Sequence, residues 1–141
     1  MTDLKVENNE EIGHYGQTLN RTIMGRIVHF ELPADNPEKM IDFYTKVFKW
    51  KFQKWAENDY WLTDTGQSVS PAINGAIVKR QGHFRNVINT INVDNIDKTI
   101  EDITKNGGTV IVPKMTIPNV GHIAYFNDTD GNTMGLIEDW K

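Results

Sequence analysis

The sequence predicts an α+β fold built from two βαβββ modules, and three observations lead there. The first is an internal repeat. Asp35-Asn36-Pro37-Glu38-Lys39-Met40-Ile41-Asp42-Phe43-Tyr44-Thr45-Lys46 returns 59 residues later as Asp94-Asn95-Ile96-Asp97-Lys98-Thr99-Ile100-Glu101-Asp102-Ile103-Thr104-Lys105. Six of the twelve pairs are identical and two more keep the acid, more than two unrelated amphipathic helices share by chance, so the chain holds two copies of one unit. The second is that an alternating, strand-like segment precedes each copy and three short strand-like segments follow it. The third is length: 141 residues suffice for one compact domain. Two units of about 55–60 residues, each marginal alone, must therefore share a core.

Taken in order, residues 1–24 are polar, rich in Asn, Glu and Gly and without a sustained period, which predicts a loosely held extension carrying His14 and Tyr15 as surface residues. The domain proper is expected over 25–141, with module one at 25–80 and module two at 86–139. Arg26 to Leu32 alternates as a strand requires, placing Val28, Phe30 and Leu32 on one face and Ile27, His29 and Glu31 on the other. Asp35-Asn36-Pro37-Glu38 then supplies a cap, a proline suited to the first helical position and an acid at the positive end of the dipole. A helix should run to about Lys49, packing Met40, Ile41, Phe43, Tyr44, Val47 and Phe48 on the sheet. Strands follow at Lys51 to Trp55, Tyr60 to Thr63 and Ala72 to Lys79, separated by turn-forming residues. Module two repeats the order: a strand over Val87 to Val93, a helix over Asn95 to Asn106 stopped by Gly107-Gly108, and strands near Thr109 to Val112, Gly121 to Phe126 and Asn132 to Glu138. Lys114 and Met115 fall in a loop expected to lie over a cavity mouth.

Composition narrows the function. With 38 % hydrophobic and 24 % charged residues and no run approaching the ~20 apolar residues of a membrane span, the chain reads as a soluble globular protein with no membrane partner. An acidic N-terminus unlike a secretory signal and the absence of cysteine fit a cytoplasmic protein with neither disulfides nor thiolate chemistry. A net charge of −4 argues against nucleic acid. Lys46, Lys49, Lys51 and Lys54 interleave with Phe48, Trp50, Phe52 and Trp55, but they read as solvated lysines on a helix end and a strand. Neither a phosphate-cradling glycine loop nor a nucleophile elbow is present.

The strand carrying His29, the segment Asp35 to Tyr44 with its Ile41-Asp42-Phe43-Tyr44, and the closing Asp128-Thr129-Asp130-Gly131-Asn132 together resemble the vicinal oxygen chelate superfamily. This superfamily includes glyoxalase I, bleomycin-resistance proteins and extradiol dioxygenases, and the resemblance covers about residues 25–139. It implies a glyoxalase-like fold in which the two modules form a curved sheet around a ligand cavity, and a homodimer by family analogy. In the metal-using members the ligands come from the first and last strands of each module. His29 matches the first such position, whereas Ile88 stands at its counterpart, Gly135 where the last-strand motif has Glu, and the neighbourhood of Gly75 at the remaining place. One imidazole does not hold a divalent ion, so no metal and no other cofactor is expected. Glu138, three residues from Gly135, falls on the opposite face of its strand.

His29 and Glu31 are the candidate catalytic residues, two apart on one face and facing the cavity, as a polar anchor or an acid/base pair. Trp61, Asn74, Gly75, Tyr125 and Gly135 are the candidate ligand-binding residues, with Tyr60 as a further aromatic wall. His83 and His122 read as surface or satisfied histidines, although His122 could rebuild a metal site with His29 and Glu31. The reading is a glyoxalase- or bleomycin-resistance-like protein that binds a small organic molecule between its modules, with the family metal site degenerate. Two alternatives stand beside it. One is a metal-dependent lyase, isomerase or dioxygenase of the lactoylglutathione lyase type. The other is a non-catalytic module whose cavity is filled by side chains such as Trp61 and Met134.

Overall fold

The computed structural model describes residues 24–141; the expected extension, with His14 and Tyr15, lies outside them. Module one runs β1 (Ile27–Ala34), α1 (Pro37–Phe48), β2 (Lys51–Lys54), β3 (Tyr60–Asp64) and β4 (Gly75–Lys79). Module two runs β5 (Ile88–Asn92), α2 (Ile96–Lys105), β6 (Thr109–Ile117), β7 (Gly121–Asn127) and β8 (Thr133–Asp139). The expected βαβββ order holds in both. All eight strands form one sheet in the order β2-β3-β4-β1-β5-β8-β7-β6, so each module contributes four neighbouring strands and the seam is the antiparallel β1–β5 pair. At that seam Phe30 faces Asn89, which is its own equivalent 59 residues on. The repeat is therefore a local two-fold passing through the middle of the sheet.

The helix starts show the repeat in atoms. Asn36 Oδ1 accepts from Lys39 N at 3.1 Å, and Asn95 Oδ1 accepts from Lys98 N at 3.0 Å, each satisfying a first-turn N–H that has no intrahelical partner. Both helices pack on one face of the sheet. There α2 sets Ile96, Ile100 and Ile103 against Ala124, Phe126 and Leu136 as a continuous apolar core. Helix α1 reaches the same face through an aromatic stack: Tyr44 lies parallel to Trp50 with centroids 4.7 Å apart, and Trp50 contacts Phe30.

Three expectations need correction. Phe43, Val47 and Phe48 do not pack on the sheet; they are 52 %, 53 % and 56 % exposed, because only the other edge of α1 faces β1 and β4. Strand β4 begins at Gly75, not Ala72, since Asn74 spends its side chain on the preceding loop: Oδ1 accepts from Thr65 N at 2.9 Å and Nδ2 donates to Gln67 at 3.2 Å. Lys114 and Met115 belong to β6, which continues to Ile117 as an edge strand, and Lys114 Nζ reaches back to Asp97 at 3.1 Å. The lysine-rich stretch is solvated as expected: Lys46, Lys49, Lys51 and Lys54 are all exposed, Lys46 pairing with Asp42 at the surface and Lys54 Nζ sitting 5.5 Å from the Trp61 ring centroid.

Candidate functional site: a carboxylate held by two tyrosines at the module seam

Strand register decides which side chains share a face, since partners across a ladder point the same way and neighbours along a strand point oppositely. Glu31 is paired with Ala76 on β4 and with Ile88 on β5, and His29 with Thr90 on β5. Thr90 is in turn paired with Gly135, and Gly135 with Tyr125; Tyr60 is paired with Val78 on β4, two residues beyond Ala76. His29, Glu31, Tyr60, Ala76, Ile88, Thr90, Tyr125 and Gly135 thus share the face opposite the helices. Beside His29 the β1–β5 ladder slips by one residue between Ile27 and His29, a bulge of the kind that re-aims a side chain.

Glu31 is the centre of this face. It is 2 % exposed, a position a carboxyl group occupies only when hydrogen-bonded. Both oxygens have partners from different modules: Tyr60 Oη donates to Oε2 at 2.7 Å and Tyr125 Oη donates to Oε1 at 2.8 Å. His29 Nε2 lies 2.7 Å from Tyr60 Oη. Because the single phenolic proton of Tyr60 goes to Glu31, the His29–Tyr60 bond is completed by Nε2–H donating to the phenol, which leaves Nδ1 as the bare nitrogen. Nδ1 has no hydrogen-bond partner among the described residues and is not buried.

Burial sets the proton affinities. It pushes Glu31 up from its ordinary value, against the two phenol bonds, which favour the carboxylate. It pushes His29 down, holding the imidazole neutral. Tyr60 and Tyr125 are raised far above the ordinary phenol value, first by burial and then by the adjacent Glu31 carboxylate, so both remain proton donors. His83, expected to be a surface or satisfied histidine, instead packs its ring 4.2 Å from that of Tyr125 and 4.1 Å from that of Phe84, with Nε2 buried and without a partner among the described residues.

Of the seven residues singled out from the sequence, the structure brings together four: His29, Glu31, Tyr125 and Gly135. Trp61 is not among them, since it pairs with Ile77 and shares the helix-bearing face. Gly75 pairs with Phe30 and faces the helices too; a Cβ there would stand 2.3 Å from Phe30 O. The counterpart of Gly135, 59 residues earlier, is Ala76, and a slip of one residue had turned the expected position to the wrong face. Asn74 ties its loop. Tyr60, expected as a further aromatic wall, joins the cluster, and Thr90 completes it; only the register, not any contiguous motif, identifies Thr90.

The donor set does not fit a metal. The strand positions that would supply ligands present His29, Ala76, Ile88 and Gly135, and both Glu31 oxygens are already occupied by phenols. Among the described residues no three His, Cys, Asp or Glu side chains converge. His122 cannot rebuild the site: it lies on the helix-bearing face, bonded through Nδ1 to Thr116 at 2.8 Å and 3.9 Å from Glu138. Glu138, on that same face as expected, accepts from Ile96 N at the start of α2. A cavity of about 500 Å³ does exist, but at the end of the sheet where β5 and β8 begin, lined by His83, Arg85, Asn89, Asp128, Asn132 and Met134 among others. It meets the Glu31 cluster at the His83–Tyr125 contact and along β5 and β8, where Asn89 and Met134 adjoin Thr90 and Gly135.

Comparison with known proteins supports this architecture. The chain is 33 % identical over 121 residues to a glyoxylase-like domain-containing protein of Didymella fabae, covering 79 % of this chain and 92 % of that protein. Among solved structures, the hypothetical protein BH1468 from Bacillus halodurans C-125 superposes with a TM-score of 0.61 at 12 % identity, covering 83 % of this chain and 96 % of its own. A variant of Streptomyces coelicolor methylmalonyl-CoA epimerase, in complex with 2-nitronate-propionyl-CoA, gives 0.57 at 14 % identity, covering 81 % and 94 %. At such identities these two report the fold alone. Residues 26–136 match the family described as the Glyoxalase/Bleomycin resistance protein/Dioxygenase superfamily, and the chain belongs to that superfamily.

Proposed function

We propose that this protein binds a small organic molecule on the helix-free face, against His29, and does so without the metal of the family's metal-using members. One observation carries the reading: partly buried His29 presents a ring nitrogen that has no partner among the described residues, next to Thr90, while Ala76, Ile88 and Gly135 around it are buried positions that offer no ion-binding donors. A few polar groups set among apolar walls suit small-ligand recognition. The neutral imidazole also makes acid/base chemistry on the ligand available, His29 being the group that would touch it. In its structure the epimerase neighbour holds an acyl-CoA analogue, so the fold accommodates small acyl compounds.

The test is a screen of small organic compounds followed by amide NMR. Binding compounds should shift the resonances of Ala76, Ile88, Thr90 and Gly135, and His29→Ala should weaken binding by about tenfold or more. Shifts confined to His83, Arg85, Asn89 and Asn132 would move the site to the end cavity and overturn the proposal. Metal content completes the test. After incubation with Ni²⁺, Zn²⁺, Mn²⁺ or Fe²⁺ the protein should retain less than one equivalent, and stoichiometric metal lost in His29→Ala would favour the metal-dependent alternative. The reading includes a homodimer, with the apolar Phe43, Val47 and Phe48 surface of α1 as its contact; light scattering should show twice the chain mass, falling on Phe43→Asp.

A further inference from the structure

The place that the superfamily resemblance reserves for a metal is filled here by a hydrogen-bonded chain, and that disagreement has chemical content. We propose that His29, Tyr60 and Glu31 form a metal-independent proton relay, in which His29 Nδ1 takes a proton from a bound molecule and Glu31 stores it. The inference rests on the binding site proposed above and assigns that site its chemistry.

The geometry supplies each link. His29 Nε2 to Tyr60 Oη is 2.7 Å, and Tyr60 Oη to Glu31 Oε2 is 2.7 Å, both within the range over which a proton is handed along a hydrogen bond. In the resting chain Nε2–H donates to Tyr60, Tyr60 donates to ionised Glu31, and Nδ1 is bare. When a C–H or O–H bond of the bound molecule breaks, its electron pair stays on the molecule and its proton joins Nδ1. The Nε2 proton then passes to Tyr60 Oη and the phenolic proton to Glu31 Oε2. The products are a neutral Glu31 acid, an intact Tyr60 phenol, a neutral His29 with its proton on Nδ1, and the anion of the bound molecule. One proton has left the molecule and one negative charge has moved from Glu31 to it, so the step balances with no co-reactant. Return of the proton along the same path reprotonates the anion.

Tyr125 has a separate part. It bonds the other Glu31 oxygen at 2.8 Å, so it anchors the carboxyl group without lying in the proton's path. The groups packed on the pair are Tyr60 from β3, Tyr125 from β7 with His83 behind it, and the uncharged Ala76, Ile88 and Thr90 from β4 and β5. With no cation among them, a second negative charge beside Glu31 would go uncompensated. The substrate class is therefore an uncharged C–H or O–H acid rather than an anion. Burial that favours a neutral carboxyl and a neutral imidazole agrees with the stored-proton state.

Titration by NMR of protein labelled with ¹⁵N-histidine and ¹³C-glutamate tests the relay without any ligand, so its outcome is separate from that of the binding screen. On lowering the pH, the wild-type protein should take up one proton that appears on the Glu31 carboxyl while His29 changes from the Nε2–H to the Nδ1–H tautomer, both with one midpoint and before any imidazolium forms. In Tyr60→Phe the two events should separate, and His29 should pass directly to imidazolium. Should Tyr60→Phe fail to fold, Tyr125→Phe serves: the shared midpoint should rise by about 1–2 pH units, as expected for loss of one hydrogen bond to a charged acceptor, and stay shared. An imidazolium at His29 while wild-type Glu31 is still ionised would overturn the relay, as would coincident midpoints surviving in Tyr60→Phe.

Discussion

Asn36 and Asn95 start the two helices with the same bond, yet the helices meet the sheet differently. Helix α2 opens with Ile96, which is fully buried in the module-two core and whose N–H donates to Glu138. Its equivalent in α1 is Pro37, which has no N–H to satisfy and fills the first helical position without entering a core. Further along, the outward positions Asp102, Asn106 and Gly107 of module two correspond to Phe43, Val47 and Phe48 of module one. The two copies share the caps and the inward periodicity, while the outward face of α1 alone is apolar. A repeat therefore predicts shared geometry and says little about what each copy does with its free surface.

The largest expected effect follows from that contrast. Ile96→Ala empties a fully buried site and should cost about 2–5 kcal/mol in denaturant unfolding, whereas Phe43→Ala, at a half-exposed ring, should cost under about 1 kcal/mol in the monomer. If Phe43→Ala proves as costly as Ile96→Ala and the loss depends on protein concentration, the outward face of α1 is covered in solution and the contrast becomes one between a core and an interface.

Next in size is the contrast between Gly75 and Gly135, which the sequence could not separate from their surroundings. A Cβ on Gly75 meets a backbone oxygen at 2.3 Å and the Phe30 ring at 2.6 Å, neither of which can move without shifting β1. Gly75→Ala should therefore destabilise by about 1–3 kcal/mol. At Gly135 the nearest atom is Thr90 Oγ1 at 2.7 Å, which rotates about χ1, so Gly135→Ala should cost less, and paired with Thr90→Ser less again. Equal costs would mean that the two last strands are not held to their neighbours in the way the register implies.

Glu31 offers a pH test of the same seam. Its folded-state affinity for a proton is raised, so between the unfolded carboxyl value of about 4.3 and the folded value the native protein binds more protons than the unfolded chain. Stability contributed by this residue is therefore present at low pH and lost as pH rises through that window. Glu31→Gln, which keeps an acceptor for one tyrosine and removes the charge, should gain on the wild type as pH rises across the window and hold its advantage above it. A constant difference at all pH values would show that Glu31 is equally ionised in both states.

These sites also show what the sequence makes legible. Strand alternation placed His29 and Glu31 on one face, and the 59-residue offset correctly matched Asn36 with Asn95 and Phe30 with Asn89, because local periodicity and capping are properties of contiguous residues. The link from Tyr125 to Glu31 spans 94 positions and passes through three strand pairings, none of which leaves a mark in sequence. Near Gly75 the sequence does not separate Gly75 from Ala76, and period-two side-chain direction turns that one-residue difference into a change of face. The exposure of Phe43 was hidden for another reason: an apolar residue at helical spacing looks the same whether it meets a sheet or nothing.

The smallest effect concerns how the two helices end. Module two closes α2 at Asn106 and passes into Gly107 at φ +94°, where Gly108 N donates to Ile103 O at 2.9 Å, a left-handed exit that glycine makes without steric cost. Module one makes its left-handed residue Lys49, at φ +61°, whose N–H still donates to Thr45 O at 3.1 Å. An L side chain in that region sits too close to its following carbonyl, at a cost of about 1–2 kcal/mol. Its ammonium offsets part of this by donating to Lys46 O at 2.7 Å, near the negative end of the helix. Lys49→Gly should remove the strain, lose that bond and increase the unfolded chain's freedom, for a net gain of about 0.5–1 kcal/mol in thermal unfolding. Gly107→Lys should impose the opposite change, a loss of about 1–2 kcal/mol, since a Cβ there meets only a Thr129 methyl at 3.4 Å and the cost is conformational. The two substitutions are far apart in the sheet order and should add in the double variant. If Lys49→Gly instead destabilises the protein, the side chain of Lys49 contributes more to holding α1 against its neighbours than its left-handed backbone costs.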